Sequence, residues 1–314
     1  MITVVGSLNM DLVMHTDKLP RSGETVMGHS FKQVPGGKGG NQADAVAKLG
    51  ADVKMIGCVG DDSMGTILKD SLKRDGVNVD YVLVKPKAST GVAAIIVEAS
   101  GNNTITVAPG ANYELITQDI ADLNHIITTS DAILLQLEIP LETVIVCLKL
   151  AKATGQITIL NPAPAIDLNS EILKCTDVLT PNETELEILS GHRTDTLENI
   201  KIAGKVLLDK GVKELVVTLG EKGCIYMRDD IFKYYQAYKV KAVDTTAAGD
   251  SFNAALAVSL SNGKTMDDAI IFAMKVGAMT VTKEGAQTSL PLFNEVLDFD
   301  QWYRLQNDTK EVNI

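Results

Sequence analysis

Asp244-Thr245-Thr246-Ala247-Ala248-Gly249-Asp250 runs a polar turn into three small residues and then an acid, and the apolar stretch Phe252 to Leu260 that follows reads as helix. Small side chains at 247–249 leave the backbone amides uncovered at a helix N-terminus, where unpaired N–H groups and the helix dipole favour an anion. Asp250 comes directly after that positive pocket. An anion cradle beside a carboxylate suits transfer of a phosphoryl group to a hydroxyl. The amides of Ala247, Ala248 and Gly249 would take the charge on the phosphoryl oxygens, and Asp250 would take the proton as general base. An aspartate ahead of an apolar helix is also the ordinary N-cap, and for the acid alone that role stays open.

Outward from this motif, apolar strand-like runs alternate with helix-periodic segments. The runs are Ile2–Val5, Lys54–Cys58, Ala132–Leu137, Ile157–Leu160, Val178–Thr180 and Leu215–Leu219; the segments include Asn41–Leu49, Met64–Asp75, Leu141–Ala153 and Ile200–Asp209. Such alternation predicts an α/β fold with a mostly parallel sheet and helices on both faces. Gly50, Gly76, Gly155, Gly211 and Gly263 fall where helices should stop, and Thr265-Met-Asp-Asp268 reads as a capping box opening the last long helix. Leu12–Val34 and Thr90–Ala108 break the rhythm: both are strand-like, with turns at Arg21-Ser-Gly-Glu24 and Ser100-Gly-Asn-Asn103. They read as a small β-sheet lid built from two insertions, or as two surface hairpins.

The composition narrows the function. A chain of 314 residues at 45% hydrophobic can bury a large core. A net charge of −11 with 4% aromatics argues against a nucleic-acid partner, which wants a basic face or stacking rings. Cys58, Cys147, Cys175 and Cys224 stand far apart, with no C-x-x-C pair, so neither a disulfide framework nor a cysteine zinc site is expected. Met1-Ile-Thr-Val-Val-Gly reads as a buried first strand rather than a signal peptide, and no apolar run reaches membrane-spanning length. The expectation is a cytoplasmic protein with no membrane partner.

Two further polar groups belong at the carboxyl ends of the strands, where open α/β sheets bind ligands. Asn9 and Asp11 follow the first strand, and alternate residues share a face, so both present acceptors on one side unless they only form an Asx turn. Gly37-Lys38-Gly39-Gly40-Asn41 precedes a helix. Its glycines permit close approach of backbone to ligand, while Lys38 and Asn41 supply donors. It is not a P-loop, having no Ser or Thr after the lysine, and Gln42 replaces the third glycine of a dinucleotide fingerprint. A plain flexible turn is the alternative.

Asp244 to Leu256 resembles the C-terminal signature of the ribokinase-like (PfkB) carbohydrate kinases. Gly36-Gly37-Lys38-Gly39-Gly40-Asn41-Gln42-Ala43, with Gly50 and Gly60 after it, resembles the N-terminal signature of the same family. The two lie about two hundred residues apart in the right order, and the likeness runs from Gly6-Ser7-Leu8-Asn9-Met10-Asp11 to Lys283-Glu284-Gly285-Ala286-Gln287. Asn161-Pro-Ala-Pro-Ala165, Thr180-Pro-Asn-Glu-Thr-Glu185 and the Ala-Ala-Gly-Asp form of the late motif resemble the ribose-phosphorylating members in particular.

The resemblance implies a three-layer α/β/α sandwich with a β lid: core residues 1–11, 35–88 and 111–314, lid residues 12–34 and 89–110. It implies a sugar shell of Asn9, Met10, Asp11, Gly37, Lys38, Gly39, Gly40, Asn41 and Glu138, with Asp250 at the reacting hydroxyl. It assigns the nucleotide to Asn182 and Glu185, to the loop Thr218-Leu219-Gly220-Glu221-Lys222-Gly223, and to Gly249, Asp250 and Met274. Taken singly, these also read as a helix cap, a hairpin turn and a core methionine; relatives often carry a polar residue at the position of Met274. ATP and Mg2+ are the implied cofactors. K+ is implied beside the anion hole, with Asp244, Thr246, Thr280, Lys283, Gly285 and Ser289 as its contacts. The shell is hostile to a second phosphate, so the implied substrate is unphosphorylated D-ribose, and a homodimer through the lid is implied as well. Another sugar or nucleoside kinase of this fold, or a non-catalytic sugar sensor, is the alternative; a sensor has to explain why Asp250, Asn182 and Glu185 are all present.

Overall fold

The computed structural model of the protein describes residues 1–308. Its strands are β1 (Ile2–Val5), β2 (Asn9–Thr16), β3 (Gly28–Gly36), β4 (Val53–Gly60), β5 (Val82–Lys85), β6 (Gly91–Glu98), β7 (Asn103–Ala108), β8 (Ala132–Leu135), β9 (Ile157–Leu160), β10 (Val178–Leu179), β11 (Glu214–Thr218), β12 (Gly223–Arg228) and β13 (Ile231–Gln236). Nine of them form the main sheet in the order β13-β12-β11-β10-β9-β8-β1-β4-β5. The ladders from β11 through to β5 are parallel, and only the β11–β12–β13 edge is antiparallel.

β1 lies inside the sheet with all four residues buried, as a short apolar run covered on both faces requires. Its side chains alternate between two cores. Ile2 and Val4 join the helices Lys38–Lys48, Ala248–Ser261 and Met266–Thr280, while Val5 joins Leu141–Thr154 and Leu197–Asp209 on the other face. The α/β architecture with helices on both sides is therefore as the alternation indicates. All five helix-stopping glycines have positive φ. Thr265 caps its helix by accepting from the Asp268 N–H, but the Asp268 carboxylate takes the Thr265 hydroxyl rather than its backbone N–H, so only half of the capping box closes.

Several boundaries differ from the sequence expectation, and the helix expected from Ile200 begins at Leu197 behind a Thr196 cap. β8 stops at Leu135, because the Leu137 N–H turns to the Ala163 carbonyl. The helix expected from Asn41 begins at Lys38, so the glycine-rich segment forms its first turn rather than a loop before it. Space explains the glycines. A Cβ on Gly39 would stand 2.6 Å from the Gly6 carbonyl carbon and the Ser7 nitrogen, and one on Gly37 2.6 Å from the Asn9 nitrogen. These residues seat the helix against the β1–β2 connection.

The strand-like regions outside the rhythm form a second sheet, ordered β3-β2-β6-β7. β2 pairs antiparallel with β3 and parallel with β6, starting at Asn9↔Gly36 and Asn9↔Gly91, so the small sheet grows directly out of the functional end of the large one. Its outer strands leave Phe31, Ile105 and Val107 exposed. Among the described residues no helix is long and apolar enough to cross a membrane, and all four cysteines are free.

Candidate active site

Asp250 lies in the first turn of the helix Ala248–Ser261 and is 7% exposed. It is not the cap. That place belongs to Ala247, which has φ +59° and makes no side-chain cap bond. The carboxylate is instead held by two amides from the glycine-rich helix: Asn41 Nδ2 donates to Oδ2 at 2.9 Å and Gln42 Nε2 to Oδ1 at 2.9 Å. The Ala248 N–H donates to the Thr245 carbonyl at 3.2 Å. Of the expected anion hole, the amides left without a partner among the described residues are those of Ala247 and Gly249, joined by that of Asp250 itself. A Cβ on Gly249 would meet nothing within 4 Å, so this helix end is open to a ligand.

The polar shell converges on the same carboxylate. Glu138 accepts from the Ser7 hydroxyl at 2.5 Å and from the Lys38 N–H at 3.2 Å, which ties the end of β8 to the glycine-rich turn. Burial, with help from the charges of Glu138 and Asp250 and against that of Lys38, pushes the Asp11 carboxyl up to about 7. Burial alone would lower the Lys38 ammonium, but Asp250, Glu138, Glu185 and Asp11 outweigh it and hold it above its usual range. Residues 11, 38, 138, 185 and 250 thus share one electrostatic field. The side chain of Met10, on the opposite face of β2, is fully buried in the core and stays away from this shell.

Asn9 differs in sense from the expected acceptor. The Leu8 N–H donates to Asn112 Oδ1 at 2.8 Å, and a backbone N–H can only donate, so Asn112 must turn its Nδ2 towards Asn9. That Nδ2 donates to Asn9 Oδ1 at 2.8 Å, which leaves the NH2 of Asn9 for a ligand. The shell therefore offers a donor at residue 9 and acceptors at 11 and 138. Asn112 carried no sequence motif beyond following Pro109-Gly110-Ala111, a turn signal after the second insertion.

Beyond the open amides lies a cleft of about 670 Å³, lined among others by Asn182, Thr218, Lys222, Gly249 and Met274. Gly220, Glu221 and Gly223 line it as well, whereas Leu219 is buried in the core and its side chain does not. Met274 Sδ rests 3.8 Å from Cys224 Sγ on the cleft wall. Asn182 and Glu185 form a reciprocal capping box, Asn182 Oδ1 accepting from the Glu185 N–H at 2.8 Å and Glu185 Oε2 from the Asn182 N–H at 2.9 Å. The cap reading is thus realised, yet it engages only one oxygen of Glu185. Burial raises that carboxyl, with Lys38 opposing.

Asp244 joins the loop before the helix to the segment after Thr280. Its Oδ1 accepts from the Thr246 N–H at 2.9 Å and the Thr246 hydroxyl at 2.7 Å, and its Oδ2 from the Gly285 N–H at 2.9 Å. These bonds overcome burial and hold the carboxyl below its usual range, so the group is an anion. Ser289 and Thr280 are buried nearby in sequence, their hydroxyls donating to the carbonyls of Ala286 and Val276 at 2.7 and 2.9 Å. The Lys283 ammonium turns away to Glu295 at 3.1 Å, leaving only its backbone for a role here. Among the described residues no group of three or more His, Cys, Asp or Glu could hold a metal.

Residues 1–292 match the pfkB family carbohydrate kinases. The chain belongs to that family. Among its relatives, the ribokinase of Schizosaccharomyces pombe is 43% identical, covering 98% of this chain and 99% of that protein. The deoxyribokinase of Salmonella typhi is 40% identical over 96% of this chain and 99% of its own length. The structure of Arabidopsis thaliana ribokinase complexed with ribose and ATP superposes with a TM-score of 0.91 at 34% identity, covering 95% of this chain and 97% of that one. A ribokinase-like fold and a phosphotransferase of the sugar-kinase type follow for this pfkB-family chain.

Proposed function

We propose that this carbohydrate kinase transfers the γ-phosphoryl group of ATP to the 5-hydroxyl of D-ribose, giving D-ribose 5-phosphate and ADP. One observation carries the reading: a buried carboxylate, Asp250, stands between an open set of amides and a shell containing Asp11, Lys38 and Glu138. The sugar's terminal hydroxyl lies against Asp250, which accepts its proton as the bond from that oxygen to phosphorus forms. The bond from phosphorus to the oxygen of departing ADP breaks. The amides of Ala247, Gly249 and Asp250 offset the charge spread over the transferred group. A positioned base contributes ~10²–10⁴-fold, about 3–5 kcal/mol of barrier.

An unphosphorylated sugar suits the shell, which sets one lysine against three carboxylates. Lys18, in the β2–β3 connection, and Lys32 of β3 are exposed and paired with Glu24 and Glu284, and Arg21 is exposed, so none is arranged for a second phosphate. The partly apolar cleft suits a nucleotide, with its adenine side at Met274. The free oxygen of Glu185 and the exposed Asn182 suit Mg2+, which takes oxygen ligands through water and neutralises triphosphate charge when bound. The Asp244 anion and the carbonyls of Thr246, Thr280, Gly285 and Ser289 are the hard oxygen donors a K+ ion takes, and the ion would brace the anion-hole loop. Residues 12–34 and 89–110 act as the lid over the core of residues 1–11, 35–88 and 111–314. Its exposed apolar face and edge strands suit a second copy of the chain, and four free cysteines suit the cytoplasm.

The similarity to a deoxyribokinase favours 2-deoxyribose as the second reading. ADP release measured with ribose, deoxyribose, fructose and adenosine separates the candidates. The highest kcat/KM is expected with ribose, and any other preference rejects the substrate assignment.

A further inference from the structure

Gln42 and Gln136 are fully buried polar side chains outside the lining of the cleft, and each is 0% exposed. Burying such groups costs stability unless they are hydrogen-bonded; Gln42 engages both ends of its amide, whereas Gln136 engages only its Nε2, its Oε1 having no partner among the described residues. Gln42 Nε2 donates to Asp250 Oδ1 at 2.9 Å and to Asn161 Oδ1 at 3.2 Å, and Gln42 Oε1 accepts from Gln136 Nε2 at 2.5 Å. The pattern continues around the functional end of the sheet. Asn161 Nδ2 donates to the Thr180 carbonyl at 3.4 Å, the Thr180 hydroxyl to Asn253 Oδ1 at 2.5 Å, and Asn253 Nδ2 to the Gly249 carbonyl at 2.8 Å.

The sense of every amide in this belt is forced. A carbonyl can only accept, so Thr180 makes Asn161 present its NH2 there and its Oδ1 to Gln42. Gln42 must then present its own NH2 to Asn161 and Asp250. Reversed, it would place an oxygen against the Asp250 carboxylate and another oxygen, with no hydrogen between. Gln136 holds the remaining end of Gln42 in the same sense. A Cβ on Gly6 would come within 1.9 Å of Gln136 Oε1, so Gly6 leaves the space Gln136 occupies.

We infer that the Gln136–Gln42 pair is a positioning relay that fixes the orientation of the Asp250 carboxylate towards the sugar hydroxyl. The inference rests on the proposed role of Asp250. It gives a task to Gln42, Asn161 and Thr180, members of sequence motifs to which substrate contact assigns nothing. Both glutamines are positioning residues: they act on the base and meet no substrate.

The test is steady-state kinetics with ribose and ATP on the full-length wild type, Gln136→Met and Gln42→Met, with folding checked by melting temperature. Methionine keeps the volume and removes the amide. The relay predicts a kcat lower by about tenfold to a hundredfold, the scale of a misplaced catalytic group, with both KM values within about threefold of wild type. A folded variant with unchanged kcat overturns the inference. So does a kcat that falls in step with a rising KM, which would mark a loosened pocket, or two variants that both fail to fold, which would make the pair purely architectural. A wild type inactive on ribose sinks the proposed function instead, and an active wild type beside unaffected variants sinks the relay alone.

Discussion

Asn112 Nδ2 donates to Asn9 Oδ1 at 2.8 Å, joining residues 103 positions apart at the root of the small sheet. The same side chain also accepts from Leu8 N–H and donates to the Leu8 carbonyl, so it sets which end of Asn9 is left for a ligand. Asn112→Ala frees Asn9 to rotate and strands a buried N–H. Ribose KM is expected to rise about tenfold, the scale of one hydrogen bond, with kcat within about threefold of wild type. Steady-state kinetics and a lowered melting temperature check both halves.

Gly36 shows the same coupling through space. A Cβ there would lie 2.3 Å from Asp11 Oδ2, the end of a side chain rather than backbone. Gly36→Ala should therefore displace the Asp11 carboxylate and leave the fold standing. The expected result is ribose binding weakened by about tenfold or more, of the order of one charged hydrogen bond, with a small melting-point change. Calorimetric titration with ribose reads it.

The late motif and the glycine-rich segment were legible because each is a long string whose residue types the chemistry demands, and strand–helix alternation was legible because period and length separate the elements. What the sequence hid was pairing across distance. Nothing local tells that Asn112 meets Asn9, that Gln136 meets Gln42, or that Asp250 is held by two amides rather than capping its own helix. The glycines of the N-terminal segment were visible, but their main reason, the seating of a helix on residues 6–9, needs the tertiary contact. Met10 and Leu219 show the converse: adjacency to a motif places the backbone near the site while alternation sends the side chain into the core.

The raised Asp11 carboxyl gives stability a definite pH dependence. Its value is 3.8 when unperturbed and about 7 in the fold, so the folded state holds the proton more tightly between those limits. Stability from this group is full below the lower value and is lost as pH rises to the upper one. Asp11→Asn removes the effect. The melting temperature of the variant minus that of wild type is expected to grow from about pH 4 to about pH 7 and to stay level above it, and thermal scans across that range check it.

Potassium dependence should pass through Asp244. Asp244→Ala deletes the acceptor shared by Thr246 and Gly285 and so unties the loop before the proposed anion hole. Wild type is expected to gain rate when K+ replaces a bulky organic cation. The variant should lose most of that gain and fall about tenfold or more in kcat, on the scale of a lost anion-hole contact. Initial rates at constant ionic strength read the difference.

The most direct test of the account is ADP release by Asp250→Asn in the presence of ribose, measured beside ribose binding by calorimetry. The substitution keeps shape and removes the proton acceptor. Turnover is expected to fall ~10²–10⁴-fold while ribose still binds within several-fold of the wild-type affinity. A variant that turns ribose over at the wild-type rate would contradict the assignment of Asp250 as the base.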